Sequence, residues 1–288
     1  VNRILHNCLF VGLILFLLAS CSSLPGKKET RVLETRNKAA EYLNNGTVQF
    51  NSGRYDRALE LFQISYQLNA SIDYEEGIVA AFNSIGKTYI LKSRYDDAKI
   101  ILDKAMEIAL RLNNQALIQA SVGNLADYFL KTENFKEAEG LLRENLPSPA
   151  SVTTDESALL AHKLSLLLRK KGAYDEALIY LASSLKYHEK KSLYKALASD
   201  YYLMASIYSL MKDYERAEFY GKEALRYDKM IEFSQGIASD LEALSTIMER
   251  AGKEEEASIY AERYERAMSA ISALNKIDDD SRDLSSGE

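Results

Sequence analysis

The 288-residue sequence has no tryptophan, 3 prolines, 13 glycines, 2 cysteines and 3 histidines. So little proline and glycine excludes collagen-like, linker-like and turn-rich all-β architectures. No lysine- and arginine-rich block occurs, and 36 basic against 42 acidic residues leave a formal charge of −6. The electrostatic footprint of a nucleic-acid-binding protein is therefore missing, and no nucleic-acid partner is expected. No HExxH pair, GxSxG elbow or glycine-rich phosphate loop is found, so neither an enzyme, a metal site nor a cofactor is expected. Apolar residues (47%) and charged residues (27%) are plentiful. That balance suits an ordered chain with enough material for an extended core.

Near the beginning, Arg3 precedes an apolar stretch from Cys8 to Ala19, interrupted only by Gly12. Such a stretch is short for a bilayer-spanning helix and fits the h-region of a secretory signal. The tetrapeptide Leu18-Ala19-Ser20-Cys21 resembles the lipobox of bacterial lipoproteins. The resemblance implies removal of residues 1–20 as a signal peptide and acylation of Cys21, with residues 21–29 as lipidated cysteine and tether. It also implies a membrane contact through the lipid and a cell-envelope location. Ser22 in place of Asp points to the outer membrane, facing the periplasm. Cys8 would leave with the signal and Cys21 would carry the lipid, leaving no thiol for a disulfide, a zinc site or a nucleophile.

The rest of the chain repeats itself. Gly53-Arg54-Tyr55-Asp56-Arg57-Ala58 returns as Ser93-Arg94-Tyr95-Asp96-Asp97-Ala98 and Glu133-Asn134-Phe135-Lys136-Glu137-Ala138. It returns again as Gly172-Ala173-Tyr174-Asp175-Glu176-Ala177, Lys212-Asp213-Tyr214-Glu215-Arg216-Ala217 and, without the aromatic, Gly252-Lys253-Glu254-Glu255-Glu256-Ala257. Alanine-to-alanine spacings are 40, 40, 39, 40 and 40. The phrase reads as a turn that opens a helix, with acids in the first turn favoured by the helix dipole. The invariant alanine suits a close crossing of two helices. Twelve positions before it stands another small residue, in turn Gly46, Gly86, Ala126, Ser165, Ala205 and Ser245, so the partner helix offers a matching site.

This pattern resembles the tetratricopeptide repeat family over about residues 30–275. The 40-residue period is similar to the long-helix variants that bind peptides in kinesin light chains and bacterial quorum-sensing receptors. The resemblance implies an all-α fold, a right-handed α-solenoid of six helix-turn-helix repeats near 30–70, 71–112, 113–146, 153–191, 192–232 and 233–275. First helices are expected near 30–51, 73–92, 114–131, 155–171, 195–211 and 236–251. Their partners are expected near 55–69, 95–112, 135–145, 174–190, 214–231 and 254–275. Pro147 and Pro149 should truncate helix 135–145 and leave a surface loop over 146–154, with a hinge as the sharper alternative. The polar segment 276–288 is expected to be an acidic disordered tail.

In this family the first helix of each pair lines a concave groove that holds the ligand. Carried over position by position, the resemblance assigns Leu43, Thr47 and Phe50, then Asn83, Lys87 and Ile90, then Asn124, Asp127 and Leu130. The later repeats add His162, Leu166 and Arg169, then Tyr202, Ser206 and Ser209, then Glu242, Thr246 and Glu249. Asn83 and Asn124 offer a donor and an acceptor to a peptide backbone, and Lys87 and Arg169 could take a carboxylate. Phe50, Ile90 and Tyr202 add apolar contact, and Asp127 and His162 complete the candidate partner-binding set. The fuller basic set of the two-carboxylate clamp is lacking, which argues against C-terminal tail recognition. His162 and His188 are expected on different faces, against a paired metal site. The expected function is a lipid-anchored scaffold or adaptor that binds an envelope protein or peptide. The alternatives are a small-ligand-binding partner of a periplasmic transport system, and a self-associating structural homo-oligomer.

Overall fold

The structure, a computed structural model, describes residues 27–285, with side chains from residue 31 to residue 274. The signal segment, the lipobox and Cys21 lie outside the described residues. Twelve α-helices and one 3-10 turn follow one another, and no strand occurs among the described residues. They are α1 Lys27–Asn51, α2 Tyr55–Ser71, α3 Glu75–Leu91, α4 Tyr95–Arg111, α5 Gln115–Lys131 and α6 Phe135–Asn145. After the 3-10 turn Pro149–Ser151 come α7 Asp155–Lys170, α8 Tyr174–Lys191, α9 Tyr194–Leu210, α10 Tyr214–Met230, α11 Ser234–Arg250 and α12 Glu254–Ser285. The all-α fold of helix-turn-helix repeats is that implied by the family resemblance.

The 40-residue period resolves into two equal halves. Residues with left-handed backbone stand at Gly53, Asp73, Ser93, Asn113 and Glu133, then at Gly172, Ser192, Lys212, Glu232 and Gly252, 20 residues apart within each run. Each lies in the tight turn that ends one helix and starts the next. The residue after it donates its N–H five residues back, as Arg94 does to Tyr89 O and Asp213 to Tyr208 O, both at 2.9 Å. This is a Schellman closure, which satisfies carbonyls that the helix end would leave bare. Seven of the ten turns hold this backbone without glycine, at φ between 49° and 64°. A side chain there costs about 1 kcal/mol relative to glycine.

The described residues divide into two compact units between Ile108 and Ala109, inside α4. In the first unit α1 packs on α2 and α2 on α3. Two of its crossings are tight at glycine: a Cβ at Gly46 would lie 2.5 Å from Phe62 Cε1 of α2, and one at Gly86 2.5 Å from Leu102 Cδ2 of α4. Ala58 and Ala98 are fully buried. The second unit repeats the scheme. Ala138, Ala177 and Ala217 are fully buried, as are the small residues Ala126, Ser165 and Ala205 twelve positions before them. In the last crossing Ser245 Oγ donates to Ala257 O at 2.9 Å.

The proline-bounded end of α6 falls where the sequence places it, and the C-terminal end of the last helix departs from the expected one. The proline segment shortens α6 to 11 residues. Leu146 beside it is fully buried. Thr154 then caps α7 in a reciprocal box with Ser157. This segment lies inside the second unit. At the other end α12 continues to Ser285, through most of the segment expected to be a disordered acidic tail. Neither proline nor glycine interrupts the chain between Glu254 and Ser285, so the backbone meets no helix breaker there.

Candidate functional site

The second unit carries a groove built from the first helices of its last three repeats. From α7 come His162, Leu166 and Arg169, from α9 Tyr202, Ser206 and Ser209, and from α11 Asp240, Glu242 and Thr246. On α7 and α9 successive positions are three or four residues apart, which keeps them on one face. Two adjoining cavities of about 540 and 420 Å³ share Arg169 and Tyr202. Volumes of this size suit a small ligand or a few residues of peptide.

The larger cavity is basic at one end. Arg169 Nη1 donates to Ser206 Oγ at 2.5 Å, and Arg250 Nη1 to Ser209 Oγ at 3.2 Å. Arg169 pairs with no carboxylate among the described residues, and burial lowers its pKa from the usual arginine value. Tyr202 is 39% exposed between the two cavities. Its phenol is raised by burial and by the charges of Asp240 and Glu242.

The smaller cavity has acid on its wall. Asp228, from the last turn of α10, and Asp240 of α11 are 6% and 2% exposed and both line it. Asp228 Oδ1 and Asp240 Oδ2 are buried without a hydrogen-bond partner among the described residues. Burial first, then the neighbouring carboxylate, pushes Asp240 up to about 8, so the pair holds a proton at neutral pH. Burial also raises Asp228, against a hydrogen bond with Asp240 and the charge of Lys195. Gly236 makes room for the pair, since a Cβ there would fall 1.8 Å from Asp228 Oδ2.

From His162 in this groove a polar cluster runs inward that corrects one sequence expectation. His162 and His188 do not point apart. Their Nδ1 atoms each lie 2.7 Å from an oxygen of Asp200, which is fully buried. Ser184 Oγ donates to the same carboxylate at 3.0 Å. Burial pushes Asp200 up, but the two imidazole hydrogen bonds outweigh it and hold the carboxyl below its ordinary value. The histidines were misplaced because their common partner sits on a third helix, α9. No group of three or more metal-ligating side chains with suitable geometry occurs among the described residues.

The remaining sequence-predicted positions are dispersed. In the first unit Phe50 is half-buried, with Lys87 Nζ 5.0 Å from its ring centroid. Asn83 is 7% and Ile90 4% exposed, so both are buried in the packing of α3. In the second unit Asn124 is half-buried, and Asp127 forms an ion pair with Lys163 of α7. His162, Arg169 and Tyr202 are the three brought together in one groove. Sequence reasoning missed Asp228, Asp240 and Arg250. The signal for the acid pair was present: Asp228 and Asp240 stand 40 residues after His188 and Asp200.

These features define a helical-repeat protein with a ligand-sized groove on the first helices of its repeats. Residues 38–111 and 201–229 each match a tetratricopeptide repeat family model, and the chain carries tetratricopeptide repeats. Among solved structures, the apo form of RapI is similar at 16% identity and a TM-score of 0.63, over 82% of this chain and 85% of its own. BtubC (BKLC) from P. vanneervenii is similar at 16% identity and a TM-score of 0.62, over 76% of this chain and 90% of its own. The Rap conjugation gene regulator of the plasmid pLS20, in complex with the Phr* peptide, shares 15% identity at a TM-score of 0.66, over 89% of this chain and 67% of its own. At such identities the likeness is one of fold. No curated protein matches the sequence.

Proposed function

We propose that the protein is a membrane-anchored bacterial lipoprotein that binds an extended peptide, or a peptide-like segment of another envelope protein, along α7, α9 and α11. The groove carries this reading. Its two adjoining cavities are lined by basic, acidic and aromatic side chains that converge from three consecutive repeats. Arginine without a carboxylate partner suits a peptide carbonyl or carboxylate, and a half-exposed tyrosine between the cavities suits an apolar side chain. The protein would act by holding its partner, with no chemistry of its own. The anchor rests on Leu18-Ala19-Ser20-Cys21, and the lipid would keep the groove within a short tether of the membrane.

Two measurements test the reading. Replacing Cys21 with Ala should move the protein from the membrane to the soluble fraction, and unchanged membrane association would refute the anchor. With that soluble variant as crosslinking bait against envelope extract, a partner captured by the native groove should be lost from an Arg169→Ala/Tyr202→Ala version. Capture indifferent to those substitutions would move the interface off the groove.

A further inference from the structure

The repeat supplies its own internal control for the acid pair. Shifting by 40 residues carries Asp200 onto Asp240, His188 onto Asp228, His162 onto Tyr202 and Ser184 onto Ala224. In the earlier repeat the buried carboxylate is enclosed by two imidazoles and a hydroxyl, within 2.7 to 3.0 Å. In the later repeat the backbone position is kept and every one of those donors is gone. One is replaced by a second carboxylate, one by alanine and one by a tyrosine at the cavity wall.

Two carboxyl oxygens are thereby left buried and unpartnered beside a cavity of about 420 Å³. Buried polar groups ordinarily find partners, and a buried charge finds an opposite one. Nearby cations are engaged elsewhere. Lys195 Nζ stands 4.5 Å from the centroid of the Phe233 ring, and its charge acts on Asp228 without an ion pair to either aspartate among the described residues. Arg169 is bonded to Ser206, and His162 to Asp200. The cavity continues past the aspartates to Leu166, Leu203 and Phe233, which can flank an aliphatic stem.

We propose that Asp228 and Asp240 form a subsite for the ammonium or guanidinium group of a basic side chain on the bound peptide. The cation takes the place that the histidines fill one repeat earlier, and its stem lies along the apolar wall. The proton held between the two carboxyls leaves to solvent as the cation enters. Arg169 and Arg250 then meet a carbonyl or acidic group further along the peptide, which fixes its direction. This specificity rests on the peptide-groove reading above.

The test has two arms, run on the Cys21→Ala chain and its Asp228→Asn and Asp240→Asn variants, with melting curves to establish that each is folded. One arm selects from arrayed random heptapeptides and re-measures the selected sequences with lysine or arginine replaced by norleucine. The other titrates n-butylammonium, with n-butanol as the neutral control, and follows the melting midpoint. The proposal expects selected peptides to carry a basic residue whose neutralisation, or either Asn substitution, weakens binding by about tenfold to a hundredfold. It also expects n-butylammonium, and not butanol, to raise the melting midpoint of the native sequence alone. Selected peptides without a basic residue, together with no effect of the amine, overturn the cation subsite and leave the peptide groove standing. Stabilisation by the amine with no peptide selected overturns both the groove reading and this proposal, in favour of a free amine ligand.

Discussion

Replacing Asp240 with Asn should stabilise the protein, and by an amount that depends on pH in a defined direction. Asp240 is 2% exposed and raised to about 8, by burial and by Asp228. In the unfolded chain the same carboxyl titrates near its ordinary value of about 3.9. A carboxyl with a raised folded pKa favours the fold fully below its unfolded value, and that contribution is lost as pH rises through its folded value. At pH 7 folding must bind a proton across about three decades of proton activity, a penalty with a ceiling of ~4 kcal/mol. Asparagine carries no such penalty, and its amide can donate to Asp228. The expected gain at pH 7 is about 2–4 kcal/mol, or roughly 5–10 °C in melting midpoint for a chain of this size. Urea denaturation followed by circular dichroism should show almost no gain at pH 4, a rise through pH 7 and a plateau above about 8. A gain independent of pH, or a loss of stability at pH 7, would refute the placement of the carboxyl pair.

Other outcomes follow from the turns, the crossings and the histidine cluster. Lys212→Gly relieves a left-handed residue at φ 64° and should raise stability by about 1 kcal/mol in urea titrations. Ala98→Leu overfills the crossing beside Gly86 and should cost about 1–3 kcal/mol, an unchanged melting curve disproving that helix pairing. Asp200→Ala strands two imidazoles and should cost about 2–4 kcal/mol at pH 7. Because Asp200 is held below its ordinary value, that loss should fade as pH falls through the carboxyl range, which acid denaturation of both proteins would reveal.

The helix pairing was legible in the sequence because it is written periodically. Ala58, Ala98 and Ala217 recur at fixed intervals from the small residues they face, and a close crossing admits little else. Turn positions were legible for the same reason, although their left-handed backbone was hidden where Ser93 or Lys212 stands in for glycine. The C-terminal extent of α12 was misjudged, since acidic composition disfavours a packed core but does not break a helix. The groove was half legible. His162, Arg169 and Tyr202 follow from counting along the first helices, whereas Ile90 and Asn83 occupy equivalent positions and are buried. Whether such a position faces solvent depends on the neighbouring side chains, which periodicity does not report. The acid pair was overlooked because aspartates on helices are usually solvated. The contrast between His188 beside Asp200 and Asp228 beside Asp240 becomes visible only when adjacent repeats are laid over each other.

That contrast has a consequence for how such a protein changes its taste in ligands. Asp200 and Asp240 stand at equivalent helix positions, and the neighbours that decide their surroundings differ at four, His162, Ser184, His188 and Ala196 against Tyr202, Ala224, Asp228 and Gly236. One arrangement supplies its own partners, and the other is left wanting a positive charge. Converting one into the other calls for a few side-chain exchanges at fixed addresses, with no loop to rebuild and no helix to shift. Each repeat can therefore be rewritten almost independently, and a row of them amounts to a line of type in which one character at a time can be reset.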